Sequence, residues 1–105
     1  MVKTKALEIL INLIIENAQP VRIILFGSRA TGEARKDSDY DIIVIKKGVE
    51  NERVISSRIY RAMFRQKLKM PVDIIAVDEK KWEKLKNNEH LIYHIADKEG
   101  IVLYG

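Results

Sequence analysis

Three short apolar runs rich in Ile and Val divide this chain: VRIILF at 21–26, DYDIIVI at 39–45 and VDIIAV at 72–77. β-Branched residues in runs of this length favour strands, and Gly, Asp or Pro bounds each run. The segments between them have another period. Residues 4–18 place Ala6, Leu7, Leu10, Leu13 and Ile14 at helical spacing, and Pro20 stops that helix. Residues 50–68 form the longest expected helix, with Val54, Ile55, Ile59, Met63 and Leu68 inward, and Tyr60 and Phe64 are expected to pack on the sheet. Asp78 caps a helix at 79–86, a last helix covers 89–100 with Gly100 as its C-cap, and IVLY at 101–104 adds a final short strand.

The predicted order is α-β-α-β-α-β-α-α-β. It describes an α/β (α+β) domain with helices packed on a small mixed β-sheet, over 1–105. A long helical crossover makes the second and third strands parallel if they are neighbours. If Gly27 lies beside Asp39, the first strand ends where the second begins, and those two run antiparallel. One edge of the sheet then gathers the end of the first strand and the starts of the other two.

At that edge the sequence is GSRATGEARKDSDYD, residues 27–41. Side chains two positions apart on a strand share a face. Asp39 and Asp41 should therefore point one way and Tyr40 the other, with Asp73 near the start of the third strand. Three carboxylates at short range repel, and a divalent cation relieves that repulsion. Hard oxygen donors suit Mg²⁺ or Mn²⁺, and a pair of such ions can clamp a phosphoryl transfer. Gly27 permits close backbone approach, and Ser28 is expected to cap a short helix at 28–35 whose first N–H groups can hold a phosphate. Arg29, Arg35 and Lys36 are near enough to add positive charge. Arg29 either contacts phosphate or pairs with Glu33, and Ser38 is expected to position Asp39. The spacing is not that of a Walker P-loop.

Composition narrows the remaining classes. The chain has no Cys, which excludes disulfides and thiolate zinc sites and suits a cytoplasmic setting. No leader is expected, and no apolar run approaches the ~20 residues of a membrane span. The net charge of +4 is modest and gathers into no basic arm, so a nucleic-acid partner is not expected. His90 and His94 share a helical face, but nothing at fitting spacing completes a zinc site. Trp82, Ile92 and Tyr93 suit a core or a partner-facing stripe.

The pattern Gly27-Ser28, Arg29-Ala30, Gly32, Ala34 and Ser38-Asp39-x-Asp41, followed by Asp73, resembles the signature of the DNA polymerase beta nucleotidyltransferase superfamily, and in particular its minimal nucleotidyltransferases. The motifs span about residues 20–78. The resemblance implies that Gly27, Ser28, Arg29 and Ser38 belong to the nucleotide site. It implies that Asp39, Asp41 and Asp73 bind Mg²⁺ (or Mn²⁺) and carry catalysis, and that ATP donates AMP to a hydroxyl. Minimal members pair with a helical HEPN-type protein as antitoxin to its toxin, which makes a partner tyrosine the expected acceptor. Two other outcomes stay open: a module that neutralises a helical partner by complex formation alone, and transfer to a small molecule or nucleic-acid end. Few residues follow Asp78, so acceptor recognition falls to those pieces, to a second copy in a homo-oligomer, or to the partner.

Overall fold

The structure, a computed structural model, describes residues 3–105. Nine elements follow in the expected order: α1 (Lys5–Ala18), β1 (Arg22–Phe26), α2 (Ser28–Thr31), β2 (Tyr40–Lys46), α3 (Glu52–Arg65), β3 (Val72–Asp78), α4 (Glu79–Leu85), α5 (Ile92–Glu99) and β4 (Ile101–Tyr104). The strands form one sheet in the order β3-β2-β1-β4. β1 runs antiparallel to β2 and to β4, whereas β2 and β3 are parallel across the α3 crossover. No helix of the described residues is long and apolar enough to cross a membrane.

Both faces of the sheet are covered, which is why its central strands are continuously apolar. On one face, Ile23, Leu25, Ile42, Val44, Ile74 and Ala76 pack with the apolar stripes of α1 and α3. On the other, Ile24, Ile43, Ile45 and Val77 meet Trp82 of α4 and Ala96 of α5. Trp82 is fully buried and packs edge-on against Tyr93, with ring centroids 6.3 Å apart. α4 is capped as expected: Asp78 accepts a hydrogen bond from the Lys80 N–H at 3.0 Å.

Several boundaries differ from expectation, each for a local reason. The short helix stops at Thr31 because Gly32 takes a left-handed turn, with φ of 86°. Gly27 occupies its N-cap, so Ser28 is the first helical residue and not the cap. α3 is shorter than 50–68: Asn51 caps it by accepting from the Arg53 N–H, and Lys67, with φ of 55°, has left the helix. α5 begins only at Ile92. Gly100 closes it in extended conformation rather than in the left-handed form usual for a C-cap glycine. Gly100 is needed sterically, since a Cβ there would collide with the Ala96 carbonyl and the Ile24 side chain.

The outward side of α3 also departs from the helical pattern. Val54 is 45% exposed, and Phe64 is 86% exposed instead of lying on the sheet. Tyr60 reaches the flank of the edge strand β3, where its hydroxyl accepts a 2.7 Å hydrogen bond from the Ile74 N–H. Glu52 does the same at the other end, accepting from the Asp78 N–H at 3.1 Å. Unpaired edge donors invite foreign strands, and these two side chains occupy them.

Candidate active site

The register of the sheet assembles one end of it. Phe26 pairs with Asp41 across β1 and β2, and Asp41 pairs with Asp73 across β2 and β3. The Tyr40 N–H donates to the Pro71 carbonyl at 2.8 Å, which holds the two strand starts level. Tyr40 packs against the α1–α3 core. Asp41 and Asp73 therefore point to the opposite face, as strand alternation requires. Asp39 precedes β2 by one residue, at the end of the loop from α2. Asp39 and Asp73 are exposed and Asp41 is half-buried, so the carboxylates stand on an open ledge.

The electrostatics of that ledge are unbalanced. Burial first, then the charges of Asp73 and Asp39, raise the Asp41 carboxyl above its ordinary value. Among the described residues the ion pairs are Lys81–Glu52 and Lys86–Glu83, and neither touches this group. Gly27 is fitted to the same spot. Its φ of 73° and ψ of −158° belong to a region kept almost wholly for glycine, and a Cβ there would collide with the Asp41 carboxylate. The turn thus lies directly against Asp41. Among the described residues, no three His, Cys, Asp or Glu side chains converge closely enough to form a ready metal cage. What is present is a side-by-side pair, Asp41 and Asp73, with Asp39 adding its charge from the loop. Hard oxygen donors, mutual repulsion and the absence of a paired cation make this set fit Mg²⁺.

Arg29 turns into the loop that leads to Asp39. Its Nε and Nη2 donate to the Ser38 carbonyl at 3.2 and 2.9 Å, and Nη2 also donates to the Lys36 carbonyl at 3.2 Å. The guanidinium lies over the Tyr40 ring, 4.4 Å from its centroid, a cation–π contact. Arg29 therefore fastens the loop that delivers Asp39, and it makes no pair with Glu33, whose carboxylate accepts from the Thr31 hydroxyl. Ser38 acts in the same loop, accepting from the Arg35 N–H at 2.8 Å. Tyr40 and the Lys36 carbonyl are the participants that sequence reasoning missed. The alternation of β2 sends Tyr40 away from the carboxylates, and a carbonyl leaves no mark in a residue pattern.

The larger recesses lie elsewhere. One of about 370 Å³ at the opposite end of β3 is lined in part by Glu52, Asp78 and Lys81, which already bind one another. His94 turns its Nδ1 to the Lys86 carbonyl at 2.9 Å, and His90 and His94 belong to no metal-holding group among the described residues.

Residues 8–105 match the family model described as polymerase beta, nucleotidyltransferase. The chain belongs to that family. Three solved structures share the nucleotidyltransferase fold with it. A candidate nucleotidyltransferase from Sulfolobus solfataricus superposes with a TM-score of 0.64 at 21% identity, covering 93% of this chain and 76% of that one. A toxin–antitoxin structure with AMP-PNP gives 0.66 at 22% identity, covering 97% and 74%. A toxin–antitoxin MntA–HpeT variant with two Asp-to-Glu replacements gives 0.66 at 19% identity, also covering 97% and 74%. Among curated proteins none matches the chain in sequence.

Proposed function

We propose that this nucleotidyltransferase moves AMP from ATP to a hydroxyl of a protein partner, a tyrosine of a helical HEPN-type toxin, and so acts as its antitoxin. The observation that carries the reading is the Asp41–Asp73 pairing against Gly27, with the Asp41 carboxyl raised by burial and by its two neighbours. Such a set lacks positive charge and gains it when a magnesium nucleotide binds. The likeness in fold to toxin–antitoxin structures, one of them with AMP-PNP, supports the choice of partner and nucleotide.

The residues divide the work by position. The Gly27–Ser28 turn takes the triphosphate, because a residue without a side chain lets the backbone approach it closely. Asp39, Asp41 and Asp73 hold Mg²⁺, which neutralises charge on the transferred group. Asp73 is exposed at the strand edge, where it accepts the proton of the incoming hydroxyl as that oxygen bonds to the α-phosphorus, the bond from the α-phosphorus to the bridging oxygen breaks, and pyrophosphate leaves toward the Gly27–Ser28 turn. Arg29 and Ser38 keep the Asp39 loop in place.

The test is incubation with ATP labelled at the α-phosphate, Mg²⁺ and a HEPN-type protein encoded beside this chain. Label on a partner tyrosine, lost when Asp41 is replaced by Asn, is the expected result. A stable complex with no label on the partner would reduce the chain to a neutralising module.

A further inference from the structure

We infer that the C-terminal half of α3 and the turn after it form the docking ridge for the acceptor protein, and that the acceptor meets it with an acidic surface bearing one apolar anchor. The inference rests on the transfer reading above for what is docked, and on separate observations for where.

The first observation is charge. Residues 53–72 contain Arg53, Arg58, Arg61, Arg65, Lys67 and Lys69 and no carboxylate. These six charges exceed the net +4 of the whole chain, so the remaining residues taken together are net acidic and this segment concentrates the uncompensated positive charge. None of the six forms an ion pair among the described residues.

The second is an aromatic ring where the fold does not use one. Phe64 is 86% exposed, the most exposed of the large apolar side chains among the described residues. It borders a recess of about 420 Å³ lined also by Met63, Lys67, Leu68 and Lys69. An exposed ring beside a socket and ringed by Arg and Lys has the make-up of an interface anchor.

The third is position. The Tyr60 hydroxyl is bonded to the Ile74 N–H, which fixes where α3 stands along β3. Phe64 lies one helical turn further on, about 6 Å toward the start of the strand. That is the end of β3 that carries Asp73. Asp73 and α3 lie on opposite faces of this edge strand, so a partner seated on Phe64 reaches the carboxylates by wrapping the strand's flank.

An acidic protein fits these features better than a nucleic acid. On α3 only Phe64 is a free ring beside a socket, because the other exposed ring, Tyr60, is tethered by its hydroxyl to the Ile74 N–H, so there is no row of stacking faces. A polyanion continuing past the ridge would also meet the uncompensated Asp39, Asp41 and Asp73.

The test uses the full chain and three labelled probes: a Glu-rich helical peptide with one Leu anchor, its Lys-rich counterpart, and a short single-stranded RNA. Binding is measured for the wild type, Phe64→Ser and the double variant Lys67→Glu/Lys69→Glu. The acidic peptide should bind the wild type best, and each variant should weaken it by about tenfold or more. The double variant should gain affinity for the Lys-rich peptide. Acidic-peptide binding unchanged in both variants overturns the inference, as does RNA binding more tightly than the peptide with the same dependence on Phe64 and the lysines. Magnesium–ATP binding is followed in parallel. If it is absent while the peptide results hold, the transfer reading fails and the docking ridge stands.

Discussion

β3 carries an aspartate near each end, and the two live in opposite surroundings. Asp78, at the C-terminal end, accepts from the Val49 N–H at 2.8 Å and the Lys80 N–H at 3.0 Å. These backbone bonds, that from Val49 foremost, hold its carboxyl below the ordinary value. Beside it Glu52 is paired with Lys81 at 3.0 Å. Asp73, at the N-terminal end, sits next to Asp41 and helps to push that carboxyl up. One end is electrostatically finished by its own backbone. The other is left with carboxylates that no cation of the described residues pairs. The same residue type on the same strand is satisfied or left unbalanced according to what the fold leaves around it.

That contrast can be broken at either end. The largest effect is expected from Asp41→Asn. Losing a metal-binding carboxylate removes several kcal/mol of transition-state stabilisation, at least about a hundredfold in transfer rate. Thermal melting should show no loss of stability, because a repelled, half-buried charge has gone. A steep fall in melting temperature together with retained transfer would make Asp41 a structural residue like Asp78.

Gly27→Ala comes next. Its backbone region costs a non-glycine residue about 1–3 kcal/mol, and the new methyl strikes the Asp41 carboxylate. Nucleotide affinity should fall by about tenfold or more alongside that stability loss, read by calorimetry with Mg²⁺–ATP. Arg29→Lys separates positioning from phosphate binding. Lysine cannot hold two carbonyls and stack on Tyr40 at once. The turnover rate should drop by about tenfold with an unchanged KM for nucleotide, since the loop is loosened and no phosphate contact is lost. A raised KM with an unchanged rate would return Arg29 to the phosphate.

The smallest effect lies at the finished end. Asp78→Asn should leave transfer unchanged and lower the melting temperature by a few degrees. Acid should separate the two ends. The folded carboxyl of Asp78 lies below its ordinary 3.8, so the stability it contributes is present above that value and is lost as pH falls through the folded one. The folded carboxyl of Asp41 lies above 3.8, so its destabilising charge disappears as pH falls through its folded value, before Asp78 begins to fail. Asp78→Asn should flatten the acid limb of a stability–pH curve, and Asp41→Asn should remove the gain that precedes it.

The order of elements along the chain and the carboxylate end were legible because they depend on period and spacing, whereas the place of β4 beside β1 was not. Apolar β-branched runs gave the sheet, Pro20 and Pro71 set limits, and the Asp39–Asp41 alternation put charge at a strand mouth. The misreadings share another cause. Phe64 and Val54 fit a helical stripe, but α3 covers only part of the sheet, and an apolar residue off that line faces water. The spacing of Arg29 and Glu33 suggests an ion pair, whereas Arg29 bonds to main-chain carbonyls that the loop brings round. Gly100 does end α5 as its residue type suggests, but it also lets α5 pass close to β1, a tertiary demand that no local pattern records.

The Tyr60 phenol on the Ile74 amide and Glu52 on the Asp78 amide have a further result. At these two points an arriving polypeptide finds no main-chain donor to pair with, so this flank does not recruit a fifth strand beside β3 by extending the ladder there. Whatever comes to Asp73 from that direction is received through its side chains, and a hydroxyl is a group that a side chain can offer.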